Sequence, residues 1–354
     1  MIERGFSLAG LLPLYRIERG PINIKPPFSE KLTEKGGFAV MLNIQKCAII
    51  GTGFVGATTA FALLRSGLFS EMVLIDQNRE KAEGEAMDLS HCDPFVRPVN
   101  VWAGDYCDLV DCALVIITAG ANQGPNETRL DLVQKNTRIF GSIIPQIVRY
   151  NRECILLVVA NPVDVLTYVA LKLSGFPPER VIGSGTVLDT ARLKYLLSEH
   201  LEVDSRNVHA FIIGEHGDTE LPVWSSANVS GVDIADFCRS CQKCGDMACM
   251  KEIYDEVKNS AYEVIQKKGA TYYAIALAVL RIAEAILRDE HSVLTVSGLV
   301  SGHYGLDGLC LGLPSIVGRR GIEQTLDVPL DEGEQQALEK SARALKEVID
   351  QLEL

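Results

Sequence analysis

Two stretches of this sequence set chemically capable residues at spacings that chemistry could use. Residues 212 to 220, IIGEHGDTE, place His216 between two acids and two glycines, directly after an apolar run that reads as a buried strand. An imidazole titrates near neutrality and can give or take a proton, yet a ring between acids on a loop is equally compatible with a solvated turn. The second stretch is Gly51-x-Gly53-x-x-Gly56, which ends one apolar run and opens an Ala-rich helical pattern. In that context Gly51 allows a tight turn, Gly53 lets backbone amides approach a pyrophosphate, and Gly56 lets the helix pack closely on its strand. The helix N-terminus would hold the anion. A second apolar run, EMVLIDQN, ends in Asp76, twenty residues after Gly56. A carboxylate there can accept hydrogen bonds from ribose hydroxyls and repel a 2'-phosphate, which predicts NAD rather than NADP.

These residues need elements to hold them. The further runs CALVIITAG and CILLVVANPVD alternate with helix-like stretches, the pattern of a mostly parallel sheet wound on both faces. Ligands of such sheets bind outside the carboxyl ends of the strands, which singles out Gly120, Ala121 and Asn161. After about residue 184 turn signals come closer together (VHAFIIGEHGDTELPVW), and a long helical pattern follows (KNSAYEVIQKKGATYYAIALAVLRIAEAIL). The predicted fold is α/β: a Rossmann-type doubly wound parallel sheet over 41–184, followed by a mixed α+β substrate domain over 185–354. Residues 1–40 mix Pro, Gly and scattered charge without a period and read as a disordered extension, with Met41 an alternative start. The patch FSLAGLLPLY has the length of a signal-peptide core, but it contains Pro13 and lacks an Ala-x-Ala site.

Composition narrows the classes of function. With 354 residues, 47% of them hydrophobic and 23% charged, the chain can bury a large core, and no window is apolar enough to span a membrane. A net charge of -12 argues against nucleic acid and anionic membranes as partners. Ten cysteines in a chain this long suit a reducing, cytoplasmic setting better than a disulfide framework. Four of them, Cys238, Cys241, Cys244 and Cys249, are spaced rather like iron-sulfur or zinc ligands. The last gap is too long for the usual cluster run and Met250 stands where proline would follow, so free thiols without metal are expected on a helix end or loop.

The set GTGFVG, TAGANQGPNETRLDL, NPVD, GSGTVLDTAR, IGEHGDTELPVW and KKGATYY resembles the lactate and malate dehydrogenase family, and within it the bacterial L-lactate dehydrogenases, in order and spacing from residue 42 to about 350. The resemblance implies reversible NADH-dependent reduction of pyruvate to (S)-lactate in fermentation, by a cytoplasmic homotetramer. It implies that His216 is the acid/base, oriented by Asp189, and that Arg192 anchors the substrate carboxylate through a bidentate fork that lysine could not reproduce. It also implies that Arg129 closes over the substrate and polarises its carbonyl, with Asn161 touching nicotinamide and substrate. Asp164, in NPVD, and Thr271 would belong to the substrate side. Val55, Lys81, Tyr106, Ser142 and Ser184 match lesser cofactor contacts. Gln123 takes the discriminating position, a neutral residue that leaves a second substrate carboxylate without a cation, so pyruvate is expected over oxaloacetate. Lys194 and His209 match positions where many bacterial members bind fructose 1,6-bisphosphate, but lysine replaces the family's arginine, so any activation should be weak. Malate dehydrogenase, or a dehydrogenase of larger 2-hydroxy acids, is the nearer alternative. An NAD-dependent glycosidase would need a metal with cysteine and histidine ligands, and no such pair follows the strands. A silent NAD-binding protein would have lost one of His216, Asp189, Arg192 or Arg129, and all are present.

Overall fold

The apolar run that precedes the glycine turn is β1, Asn43–Ile50, and its side chains divide by the two-residue period of a strand. Ala48 and Ile50 enter one hydrophobic cluster, Cys47 and Ile49 the other. A strand that is apolar on both faces must be covered on both, and the next elements supply the cover. They are α1 (Phe54–Ser66), β2 (Glu71–Ile75), α2 (Arg79–Ser90), β3 (Asn100–Ala103), β4 (Cys112–Ile117), α3 (Arg129–Tyr150), β5 (Ile155–Val158), α4 (Val163–Ser174) and β6 (Val181–Gly183). The six strands run parallel in the order β3-β2-β1-β4-β5-β6. The strand order reverses direction beside β1, which opens a crevice at the strands' carboxyl ends. The doubly wound sheet is therefore as expected.

A computed structural model describes residues 42–121, 124, 128–241 and 248–352, with the backbone alone at 31–32, 38–39 and some element ends, among them Arg129 and Cys241. Most of the extension, Met41, Gln123 and Cys244 lie outside the described residues. By contacts the chain divides into Met1–Met41 and Leu42–Leu354. In the first, Lys31–Leu32 pairs antiparallel with Phe38–Ala39.

Within the second unit the chain continues through α5 (Val187–Leu201), the two-residue strands β7 (Val208–His209), β8 (Ile212–Ile213), β9 (Leu221–Pro222), β10 (Asn228–Val229) and β11 (Val232–Asp233), and α6 (Ile234–Cys241). Then come α7 (Ala248–Lys268), α8 (Tyr273–Leu287), β12 (Ser292–Leu294), β13 (Ser297–Ser301), β14 (Asp307–Gly312), β15 (Ser315–Gly318), β16 (Gly321–Thr325) and α9 (Glu332–Ile349). The antiparallel pair β13–β14 extends the parallel sheet beyond β6, joined through Ser297 and Gly183. Both halves therefore share one eight-stranded sheet. The long helical pattern of the sequence is in fact two helices. Gly269 takes φ +85 and donates its amide to the Ile265 carbonyl, closing α7 and leaving Thr271 in the break. Among the described residues no helix is long and apolar enough to cross a membrane.

Two glycines of the turn after β1 are fixed by packing and one is not. Gly51 has φ +98, and a side chain there would lie 2.6 Å from the Ala119 amide nitrogen. A methyl at Gly56 would lie 1.9 Å from the Gly51 carbonyl oxygen, whereas one at Gly53 would meet nothing within 4 Å. Gly56→Ala is therefore expected to cost about 1–3 kcal/mol or more through overpacking, with Gly53→Ala nearly neutral for folding. Thermal unfolding of both variants checks this, and equal melting temperatures would contradict the tight packing at Gly56.

Candidate active site

His216 lies in the short connection between β8 and β9, which pair antiparallel on either side of it. Three distant elements pin that connection. The amide and carbonyl of Gly214 bond reciprocally with Gly312 on β14. The Glu215 amide donates to Ser341 Oγ on α9 at 2.8 Å, and the His216 amide donates to Asp164 Oδ2 on α4 at 2.8 Å. Backbone geometry, and not only side-chain choice, thus sets the direction of the ring.

The ring's partner comes from α5. Asp189 sits in the first turn of that helix, where the macrodipole favours an anion. His216 Nδ1 lies 2.6 Å from Asp189 Oδ2, and Arg192, one turn further on, donates from Nη1 to Asp189 Oδ1 at 2.8 Å. Asp189 is only 2% exposed. Burial pushes its carboxyl up, but the ring and the guanidinium outweigh burial and hold it below the usual carboxylate range. Burial likewise disfavours the charged His216 ring, and Asp189 overcomes this, so the ring is raised from 6.5 to about 9. At neutral pH the imidazolium donates through Nδ1 to Asp189, which leaves Nε2, without a partner among the described residues, to exchange a proton. Asp164, wholly buried, is instead pushed up by burial.

On the cofactor side, the amide and hydroxyl of Thr52 both donate to Asp76 Oδ2, at 2.7 and 3.0 Å, and the Asn78 amide donates to Oδ1. Burial raises the Asp76 carboxyl, and these donors together bring it below its ordinary value. Asp76 therefore braces the glycine turn as well as offering lone pairs to a ribose. The first turn of α1 has no side-chain cap at Gly53, so its amides are available to an anion. The free space at Gly53, the uncapped amides and the placed carboxylate together fit a dinucleotide.

The other expected residues fall as follows. Gly120, Ala121, Asn161 and Ser184 cap the carboxyl ends of β4, β5 and β6, around the same crevice. Val55 is half-buried on α1, and Lys81 is exposed on α2 near Asp76. Tyr106 follows β3 in a short turn and packs against the core, with burial raising its phenol. Ser142 is exposed on α3 and donates to the Ile139 carbonyl. Lys194 is half-buried on α5 with its ammonium destabilised by burial, and His209 is exposed on β7. The side chain of Arg129, at the start of α3, and all of Gln123 lie outside the described residues.

The expectation of free thiols on a helix end or loop is corrected at Cys249, while Cys238 does lie on a helix, α6, and is buried there. Cys238 is fully buried, one turn after Ile234 on α6, and shares the third core cluster with Leu193 and Leu197 of α5 and Ile253 and Val257 of α7. Cys249 is disulfide-bonded, to a partner outside the described side chains. Three residues went unnoticed in the sequence. Asn136, buried on α3, bonds the amide and carbonyl of Ala121 and the carbonyl of Asn161, tying two strand ends together. Ser341 braces the histidine loop, and Glu220 is buried beside the His216–Asp189 pair.

Two family models match in sequence: the NAD binding domain of lactate/malate dehydrogenase over residues 45–183, and the alpha/beta C-terminal domain of lactate/malate dehydrogenase over 186–353. The chain belongs to the lactate/malate dehydrogenase family, and is an NAD-dependent oxidoreductase. It is 59% identical over 311 residues to the L-lactate dehydrogenase of Acetivibrio thermocellus, covering 88% of this chain and 98% of that protein. It is 58% identical over 308 residues to L-lactate dehydrogenase 1 of Clostridium acetobutylicum, covering 87% and 98%. Among solved structures it superposes with a TM-score of 0.85 on the minor L-lactate dehydrogenase of Enterococcus mundtii in a ligands-bound form, at 42% identity, covering 88% of this chain and 99% of that one. MGS-M5, a lactate dehydrogenase from a Medee basin deep-sea metagenome library, gives the same TM-score at 45% identity, covering 86% and 98%.

The raised His216 value carries a stability consequence. Because the folded ring holds its proton more tightly than an unfolded one, its contribution is complete below pH 6.5 and is lost as pH rises through about 9. Urea unfolding of the cofactor-free protein should show a loss of roughly 3 kcal/mol across that window, absent from His216→Asn at the same protein concentration. Equal pH dependence in the two proteins would show that the ring is not charged in the folded state.

Proposed function

We propose that this chain is an L-lactate dehydrogenase that reduces pyruvate reversibly to (S)-lactate, with His216 as the acid/base. The observation that carries the reading is the hydrogen-bonded line Arg192–Asp189–His216, beyond the strand ends of a family fold whose relatives are L-lactate dehydrogenases. NADH, when bound, supplies a hydride to the carbonyl carbon. Gly51, Gly53, Val55, Gly56, Asp76, Lys81, Tyr106, Gly120, Ala121, Ser142, Asn161 and Ser184 hold the cofactor.

His216 gives its Nε2 proton to the carbonyl oxygen, which becomes the lactate hydroxyl, and the ring is left neutral with its Nδ1–H still on Asp189. Arg192 keeps one nitrogen on Asp189 and turns its fork to the substrate carboxylate. Asp164 holds the loop amide behind the ring, Asn161 and Thr271 line the substrate, and Arg129 polarises the carbonyl. Gln123 is the neutral residue at the position that the family resemblance makes discriminating. In this reading an oxaloacetate carboxylate would be desolvated without a counter-charge, which favours pyruvate by roughly a hundredfold or more. NADH consumption with pyruvate, oxaloacetate and branched 2-keto acids side by side tests the assignment, with Gln123→Arg expected to move preference toward oxaloacetate. Higher kcat/KM on oxaloacetate for the unaltered enzyme would overturn it.

The homotetramer and the effector belong to the same reading. Lys194 has no ion-pair partner among the described residues and is half-buried, a setting that suits an anion, but its ammonium lacks the two-pronged fit of a guanidinium to phosphate. Millimolar fructose 1,6-bisphosphate is expected to lower the apparent KM for pyruvate less than about fivefold, and Lys194→Arg to respond more. Steady-state kinetics at pH 7 with and without the sugar measure this. Activation of the unaltered enzyme as large as that of Lys194→Arg would contradict the proposed cost of lysine.

A further inference from the structure

The acid/base pair has a third ionisable neighbour that the mechanism above does not use. Glu220, at the end of the histidine loop, is 6% exposed, and its Oε1 is buried without a hydrogen-bond partner among the described residues. One of its carboxylate oxygens lies within 4.8 Å of the His216 ring nitrogen and of an Asp189 oxygen. It makes no ion pair among the described residues, although such a pair is what normally keeps a buried carboxylate charged. The charged groups facing it are Asp189 and Arg192 from α5, His216 from its own loop, and Lys258 from α7, with the Tyr254 phenol beside it. Lys258 is occupied at the surface with the Asp218 carbonyl, and the Tyr254 hydroxyl donates to the Glu220 backbone carbonyl, not to its carboxylate. Asp164 acts on the ring from α4.

Counting charges decides the state of this group. Asp189 is matched by His216, and in the working site Arg192 is matched by the substrate carboxylate. A third anion would have only Lys258 to draw on, and Lys258 reaches the Asp218 carbonyl at the surface and not the Glu220 carboxylate. We propose that Glu220 is a positioning residue for proton transfer: a neutral acid while His216 is charged and substrate is bound, whose own ionisation strengthens the hold of His216 on its proton. Burial first, and then the like charge of Asp189, raises its carboxyl to about 8, out of the usual carboxylate range and into the range where His216 titrates. An ionised Glu220 attracts the imidazolium, which makes His216 a weaker acid toward pyruvate and delays the neutral ring that lactate oxidation needs. No bond other than the exchanged O–H and N–H bonds is involved. Glu220 thereby fixes the pH at which one direction of the reaction gives way to the other.

This proposal rests on His216 being the acid/base, and the tests separate the two. Glu220→Gln keeps the shape and removes the charge. The falling limb of pyruvate reduction and the rising limb of lactate oxidation should both move to lower pH, by the same amount and by roughly half a unit or more, while NADH affinity stays put. Glu220→Asp, which restores an ionisable group, should move them back. Limbs unmoved in a folded Glu220→Gln protein, or a drop in kcat at every pH without displacement, would overturn the proposal and leave a packing role. NMR titration of the His216 ring in the unaltered, cofactor-free enzyme, assigned with His216→Asn, needs neither turnover nor a substituted Glu220. Two inflections are expected, one of them reporting Glu220, and a single-step curve would overturn the coupling even if lactate turnover were normal. A two-step curve in a protein inactive on every 2-keto acid would instead preserve the coupling and sink the functional reading.

Discussion

A carboxylate almost wholly removed from water must be compensated, and the compensation of Asp189 organises the centre of this enzyme. Its two oxygens take one partner each, His216 on one and Arg192 on the other. A buried charge that loses a partner costs far more than the pair gains when complete, so the position of each cation is enforced by the other. The ring cannot swing away without stranding the carboxylate, and the guanidinium cannot leave entirely for a substrate. The ring and the guanidinium are thus registered to each other through one shared anion.

That register would be useless if the cofactor crevice moved independently. The eight-stranded sheet prevents this. Strands β1 to β6 hold the crevice, and β13–β14 continue the same sheet to Gly312, which meets the histidine loop directly. Asn136 does the corresponding work across the crevice, joining the ends of β4 and β5 with one side chain. The histidine loop and the ends of β4 and β5 are in this way tied to one hydrogen-bonded lattice, the rigid support that near-attack geometry requires.

Much of this was legible in the sequence where the signal is local. The glycine turn, its strand and Asp76 fall within about thirty residues, so period, turn chemistry and spacing all speak at once. Even there the reading was partial: the sequence offers Asp76 as a candidate ribose acceptor, but not as the group that holds Thr52. Asn136 and Ser341 carried no signal because nothing nearby in the chain marks them, and Glu220, although only four residues after His216, becomes meaningful only when α5 brings Asp189 beside both. The helical pattern around Thr271 ran on because apolar periodicity is blind to a single left-handed Gly269. The ligand-like spacing of the cysteines is rightly discounted in the sequence, but the burial of Cys238 and the disulfide of Cys249 were not legible there. Residues three or four apart lie on one face of a helix, so ligand-like spacing and an ordinary helical stripe look alike, and Cys238 belongs to the stripe.

The hydroxyl that fastens the histidine loop comes from Ser341 on α9, 126 residues after Glu215, whose amide it accepts. Protein synthesis delivers residues in order, and the amino-terminal portion generally folds first. The sheet that receives the dinucleotide can therefore assemble on a nascent chain long before α9 has left the ribosome, while the loop bearing the ring still lacks one of its three fastenings. In temporal terms the crevice is an early property of this polypeptide and a fully fastened histidine loop a later one, so a chain cut short before α9 would keep the sheet and leave His216 on a loop with one fastening missing.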